Sequence, residues 1–117
     1  MTVTIYHNPK CSKSRQTLEL LRARGIEPVV IEYLKQPPDK AALKKILRLL
    51  RMKPRELLRR KEAAYKQERL DREGLSDEAL LDAMLKHPVL MERPIVLAQG
   101  KAAIGRPPEQ VLEILKT

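Results

Sequence analysis

Thr2-Val3-Thr4-Ile5-Tyr6-His7-Asn8-Pro9-Lys10-Cys11-Ser12-Lys13-Ser14-Arg15 begins as a strand and ends as a helix, and the turn between them holds the only cysteine of the chain. Residues 2–6 alternate and are β-branched, which is the pattern of a strand, and the strongly helical run Ser14-Arg15-Gln16-Thr17-Leu18-Glu19-Leu20-Leu21 follows a few residues later. A thiol at the start of a helix feels unpaired backbone N–H groups and the positive end of the helix dipole. Lys10, Lys13 and Arg15 add positive charge beside it. These effects favour thiolate over thiol, and the thiolate is the nucleophile. The plainer alternative, a small inert buried residue, sits poorly in a basic polar turn.

Working outward, Ser14 to Arg24 carries Leu18 and Leu21 on one side and Arg22 and Arg24 on the other, an amphipathic helix ended by Gly25. Pro28-Val29-Val30-Ile31-Glu32-Tyr33-Leu34 reads as a second strand, at about the separation a right-handed parallel crossover requires. Gln36-Pro37-Pro38-Asp39 closes the unit with a turn, and Asp39 caps the helix that follows. From Lys40 to about Lys86 the chain reads as helices only. Ala42, Leu43, Ile46, Leu47 and Leu50 recur at helical spacing, Pro54 opens a short helix, and Ser76-Asp77-Glu78-Ala79 is a capped start to another. Ile95-Val96-Leu97 and Lys101-Ala102-Ala103-Ile104, joined by a turn at Gln99-Gly100, form an antiparallel hairpin. Gly105-Arg106-Pro107-Pro108-Glu109 then leads into a last helix with Val111, Leu112, Ile114 and Leu115.

The chain of 117 residues is expected to be a single domain, with a helical insertion over about 39–87. One cysteine excludes an intramolecular disulfide, and no apolar run approaches the roughly 18 residues a membrane span needs. With no signal-peptide pattern at the N-terminus, the expected compartment is the cytoplasm. The formal charge of +9 favours anionic partners, and residues 40–72 hold more than half of all Lys and Arg. Strand, helix, strand, helical insert, strand, strand, helix is the order of a thioredoxin-like α/β fold, a small mixed sheet with helices packed on it.

His7-Asn8-Pro9-Lys10-Cys11-Ser12-Lys13-Ser14-Arg15, Leu57-Leu58-Arg59, His87-Pro88-Val89-Leu90-Met91-Glu92-Arg93-Pro94-Ile95-Val96 and Gly105-Arg106-Pro107-Pro108-Glu109 resemble the successive motifs of the ArsC family, the glutaredoxin-coupled arsenate reductases. The likeness runs from Thr4 to about Leu115. It implies a thioredoxin-like fold, Cys11 as nucleophile, and Arg59, Arg93 and Arg106 as the arginines that hold arsenate and its thiol adducts. It also implies a cis bond before Pro94. Such arginines suit the chemistry, because a thiolate must approach an already negative oxyanion, and a planar guanidinium gives paired bonds while staying ionised. No bound cofactor is implied. With no second protein cysteine to resolve the adduct, glutathione is the expected co-substrate and glutaredoxin the expected partner.

Supporting roles fall to neighbours of the cysteine. His7 is placed to donate a hydrogen bond or a positive charge that favours the thiolate, and Ser14 to bond the sulfur or cap the helix. Asn8 and Arg15 are placed to position the loop and the anion, whereas His87 reads as structural.

Other chemistries fit less well. A phosphatase-type anion loop needs an arginine six residues after the cysteine, and Thr17 stands there. One cysteine and two distant histidines cannot hold a structural metal. Nucleic-acid binding fits the charge but not the aromatics, with only Tyr6, Tyr33 and Tyr65 to stack on bases. The Spx-type branch of the family regulates transcription by binding RNA polymerase and usually carries Cys-x-x-Cys, where this chain has Ser14. A non-catalytic interaction protein of that kind, or a thiol oxidoreductase acting on another substrate, is therefore the alternative to an arsenate reductase.

Overall fold

The structure is a computed structural model that describes residues 2–115. Its elements run β1 (Val3–His7), α1 (Ser12–Ala23), β2 (Val29–Glu32), α2 (Lys40–Leu50), α3 (Pro54–Leu57), α4 (Ala63–Gln67), α5 (Asp77–Lys86), a 3-10 turn at Pro88–Leu90, β3 (Ile95–Ala98), β4 (Lys101–Ile104) and a 3-10 helix at Pro108–Leu115. Contacts divide the chain into two units, one made of Met1–Gln36 with Arg93–Thr117 and the other of Pro37–Glu92.

The first unit is built on a four-stranded sheet in the order β2-β1-β3-β4. β1 and β2 run parallel, as a strand-helix-strand crossover requires, while β3 is antiparallel to both β1 and β4. This is the thioredoxin-like mixed sheet that the sequence resemblance implies. Alternation along β1 sends Val3, Ile5 and His7 to one face, and Val3 and Ile5 join Leu21, Val96, Ala98, Val111 and Ile114 in a buried cluster. Burying a residue such as Leu21, which is fully covered, contributes about 1.5–3 kcal/mol. The hairpin turn works because Gln99 and Gly100 both take positive φ, 54° and 71°, the twist a two-residue connection needs. The last helix is wound as a 3-10 helix, although its buried residues, Pro108, Val111 and Ile114, are those of the expected apolar face.

The second unit is helical. Asp39 caps α2 by accepting a 2.8 Å bond from Ala42 N–H, and Ser76 caps α5 by accepting a 3.1 Å bond from Ala79 N–H. Leu43, Ile46 and Leu47 of α2 and Leu80, Leu81, Ala83 and Met84 of α5 are its buried stripes. Leu58 pairs with Met91 in an isolated antiparallel bridge, flanked by Arg59 N–H to Leu90 O at 2.8 Å and Glu92 N–H to Leu57 O at 3.0 Å. Among the described residues no helix is long and apolar enough to cross a membrane.

Candidate active site

Cys11 is the N-cap of α1, with extended backbone (φ −96°, ψ 123°), so the helix begins two residues before Ser14. The expected helix start at Ser14 is corrected accordingly. Cys11 N–H donates to Asn8 O at 3.0 Å, and Cys11 O accepts from Arg15 N–H at 3.0 Å, closing the first helical turn. The turn before it is pinned by its own side chains. Asn8 Oδ1 accepts from Lys10 N–H at 3.0 Å, and Arg15 Nη1 donates to Pro9 O at 2.9 Å. Asn8 and Arg15 thus both bond the backbone of this loop.

Because His7 shares the β1 face of Val3 and Ile5, its ring is directed toward α1, where Ser14 is fully buried. His7 Nδ1 lies 2.6 Å from Ser14 Oγ, and the same oxygen accepts from Asn8 N–H at 3.0 Å. Ser14 Oγ thus ties the strand end to the turn. Burial holds His7 below its usual value of 6.5, with Arg22 and Arg15 pushing the same way and Glu32 opposing. This shift favours the neutral ring and runs against the positive charge expected at His7. In a neutral ring protonated at Nε2, Nδ1 accepts a hydrogen bond from the Ser14 hydroxyl while the serine oxygen accepts from Asn8 N–H.

The contact to the sulfur comes from the far end of the chain. Arg106 Nη2 lies 3.5 Å from Cys11 Sγ, and Arg106 Nε donates to Arg93 O at 2.8 Å. One planar fork therefore joins the thiol to the loop before β3. Arg93–Pro94 is cis, as the resemblance implies, and Arg106–Pro107 is cis too, which the sequence reading did not foresee. Two guanidinium nitrogens of Arg93, Nε and Nη1, are buried. Cys11 itself is 8% exposed.

Cys11, His7, Ser14, Asn8, Arg15, Arg93, Pro94 and Arg106 all belong to the sheet unit, whereas Arg59 belongs to the helical one. Arg59 is held by carboxylates there, with Nη1 2.6 Å from Glu92 Oε1 and Nε 3.2 Å from Glu62 Oε2. An oxyanion at Arg59 must displace or share one of these partners. The sequence reading named neither partner: Glu62 stands only three residues on, whereas Glu92 is thirty-three residues away and the Leu58–Met91 bridge that brings it near leaves no local pattern. Among the described residues no three His, Cys, Asp or Glu side chains are grouped to hold a metal ion.

The profile of the ArsC family matches residues 6–114. The chain is 59% identical to the uncharacterized protein YfgD of Escherichia coli K12, with 97% of this chain and 96% of that one covered. It is 49% identical to an arsenate reductase of Neisseria meningitidis serogroup B, with 97% of each chain covered. Its structure matches that of an arsenate reductase from Vibrio cholerae with a TM-score of 0.95 at 54% identity, covering 97% of this chain and 98% of that one. A family profile over nearly the whole chain, a relative half identical along its length and a solved structure of the same fold agree, and this chain belongs to the ArsC family.

Proposed function

We propose that the chain is an arsenate reductase that uses Cys11 as its nucleophile, glutathione as co-substrate and glutaredoxin as the partner that restores it, working in the cytoplasm. The observation that carries this reading is the 3.5 Å contact between Arg106 Nη2 and Cys11 Sγ at the N-cap of α1. A thiolate and an oxyanion repel each other, and a guanidinium already seated at the sulfur offsets that repulsion for both reactants. Arg93, whose Nε and Nη1 are buried and whose carbonyl accepts Arg106 Nε, supplies further donors, and the family resemblance assigns Arg59 the same role.

In the first step the Cys11 thiolate attacks arsenic, an As–S bond forms, and one arsenate oxygen leaves with protons as water. Glutathione then attacks the sulfur of this adduct. Its electron pair forms the new S–S bond while the pair of the As–S bond passes to arsenic, taking it from the +5 to the +3 state, and arsenite leaves as a Cys11–glutathione disulfide forms. A further thiol, delivered by glutaredoxin, attacks that disulfide and regenerates Cys11. Two electrons pass to arsenic and two thiols are consumed, which balances. Because Cys11 is the sole cysteine, every other electron comes from outside the chain.

The test is arsenate-dependent NADPH oxidation coupled through glutathione, glutaredoxin and glutathione reductase. Turnover should be present with wild-type protein and absent with Cys11→Ser. Turnover that survives Cys11→Ser sinks the mechanism, and turnover supported equally without glutaredoxin sinks the assigned partner.

A further inference from the structure

Arg106 can serve the sulfur only if its backbone is held at a fixed distance from α1, and the residue before it meets that helix at unusually close range. We infer that Gly105 and Thr17 form a gauge that sets the position of Arg106, making Gly105 a positioning residue of the anion site. The inference rests on the role proposed above for Arg106.

Gly105 is buried, and a Cβ built on it would overlap Thr17 Oγ1, lie 2.8 Å from Pro94 Cγ and lie 3.2 Å from Thr17 Cγ2. Its backbone is not in the left-handed region, so the need is for space alone. Neither neighbour can give way easily. Thr17 is fully buried and β-branched, and its hydroxyl donates to Lys13 O at 2.8 Å, which fixes its rotamer. Pro94 is a buried ring whose carbonyl accepts Gly105 N–H at 3.0 Å. Thr17 and Cys11 also ride on the same helix, at its second turn and its N-cap. Contact with Thr17 therefore refers the Gly105 backbone, and the Arg106 side chain one residue on, to the same rigid element that carries the sulfur. The bond from Arg106 Nε to Arg93 O completes the alignment.

The experiment compares wild type, Gly105→Ala and Gly105→Ala/Thr17→Ala. Cys11 is alkylated in parallel with anionic iodoacetate and neutral iodoacetamide, alongside arsenate kinetics and thermal melts. A merely structural glycine lowers the melting temperature but leaves the iodoacetate-to-iodoacetamide rate ratio alone, because both reagents meet the same thiol. A displaced Arg106 lowers that ratio and raises the arsenate KM, each by about tenfold, since misplacement by an ångström is costly. Removing Oγ1 and Cγ2 of Thr17 in the double variant should recover part of both losses. If Gly105→Ala fails to fold, Thr17→Ile presses on the same contact from the helix side and should lower the ratio in the same way. A folded Gly105→Ala protein with the wild-type ratio and KM overturns the inference, as does a double variant no better than the single one. Should wild type not turn over arsenate at all, that reading fails by itself, and the alkylation ratio still decides the gauge.

Discussion

One Arg106 guanidinium bonds both Cys11 Sγ and Arg93 O, a pairing that suits an arginine. A lysine ammonium is a point donor on a flexible stem and cannot span both acceptors. Arg106→Lys should therefore keep the fold and lower kcat/KM by about 10–100-fold, the worth of a charged hydrogen bond at 1.5–3 kcal/mol. Steady-state kinetics with parallel melts check this, and full activity in the variant would remove Arg106 from the anion site. His7 carries a prediction about pH. Its folded value lies below 6.5, so as pH falls through that region the unfolded chain takes up a proton before the native one does. Stability should decline as pH drops from above 6.5 toward the depressed folded value, then level off with respect to this group. In His7→Gln that part of the decline should vanish, which urea midpoints across a pH series will show; an unchanged slope would place its origin elsewhere. The cysteine, the histidine and the serine were legible as a cluster because they lie within one strand and one helical turn. Their bonds were not, because whether Ser14 caps a helix or joins His7 depends on the β1 face its neighbour takes.

The elements that were easiest to read are those with a local chemical cause. Asp39 and Ser76 precede helical apolar repeats, and both accept the expected N–H groups. Gln99-Gly100 sits between two alternating runs and forms the turn of the β3–β4 hairpin. The start of α1 was displaced because Cys11 is an unusual N-cap and makes no side-chain capping bond, while Ser14 offers a stronger signal that is spent on β1 instead. α4 escaped notice, since Ala63–Gln67 is too short for its apolar spacing to stand out. Asp39→Ala should cost about 0.5–2 kcal/mol by orphaning the Ala42 N–H, while Asp39→Asn, which can still accept, should cost little. Thermal melts of the two variants test this, and equal losses would mean that the charge rather than the cap is what matters.

At the scale of the molecule the charge is far more uneven than the topology. Residues 40–72 contain thirteen Lys and Arg against four Asp and Glu, so the formal +9 of the chain is matched by this segment and the remaining residues balance. Some of these cations are engaged: Lys40 and Lys44 pair with Glu78, and burial of Arg59 is met by Glu62 and Glu92. Lys45, Arg48 and Lys66 stand exposed. A field of this sign raises the local concentration of an anionic substrate without touching the chemical step. Reversing these three side chains to Glu lowers the formal charge from +9 to +3. At low ionic strength the arsenate KM should then rise several-fold with kcat unchanged. Above about 0.15 M salt, where the Debye length is near 8 Å, the difference from wild type should fade. Stability should stay within about 0.5 kcal/mol, as is usual for exposed positions. Arsenate kinetics across a salt series, with wild type and the triple variant in parallel, separate the possibilities. A fall in kcat would mean that one of these side chains takes part at the reacting centre. A KM indifferent to both salt and reversal would mean that the local arginines alone recruit the anion, leaving the basic segment free for a partner other than the substrate.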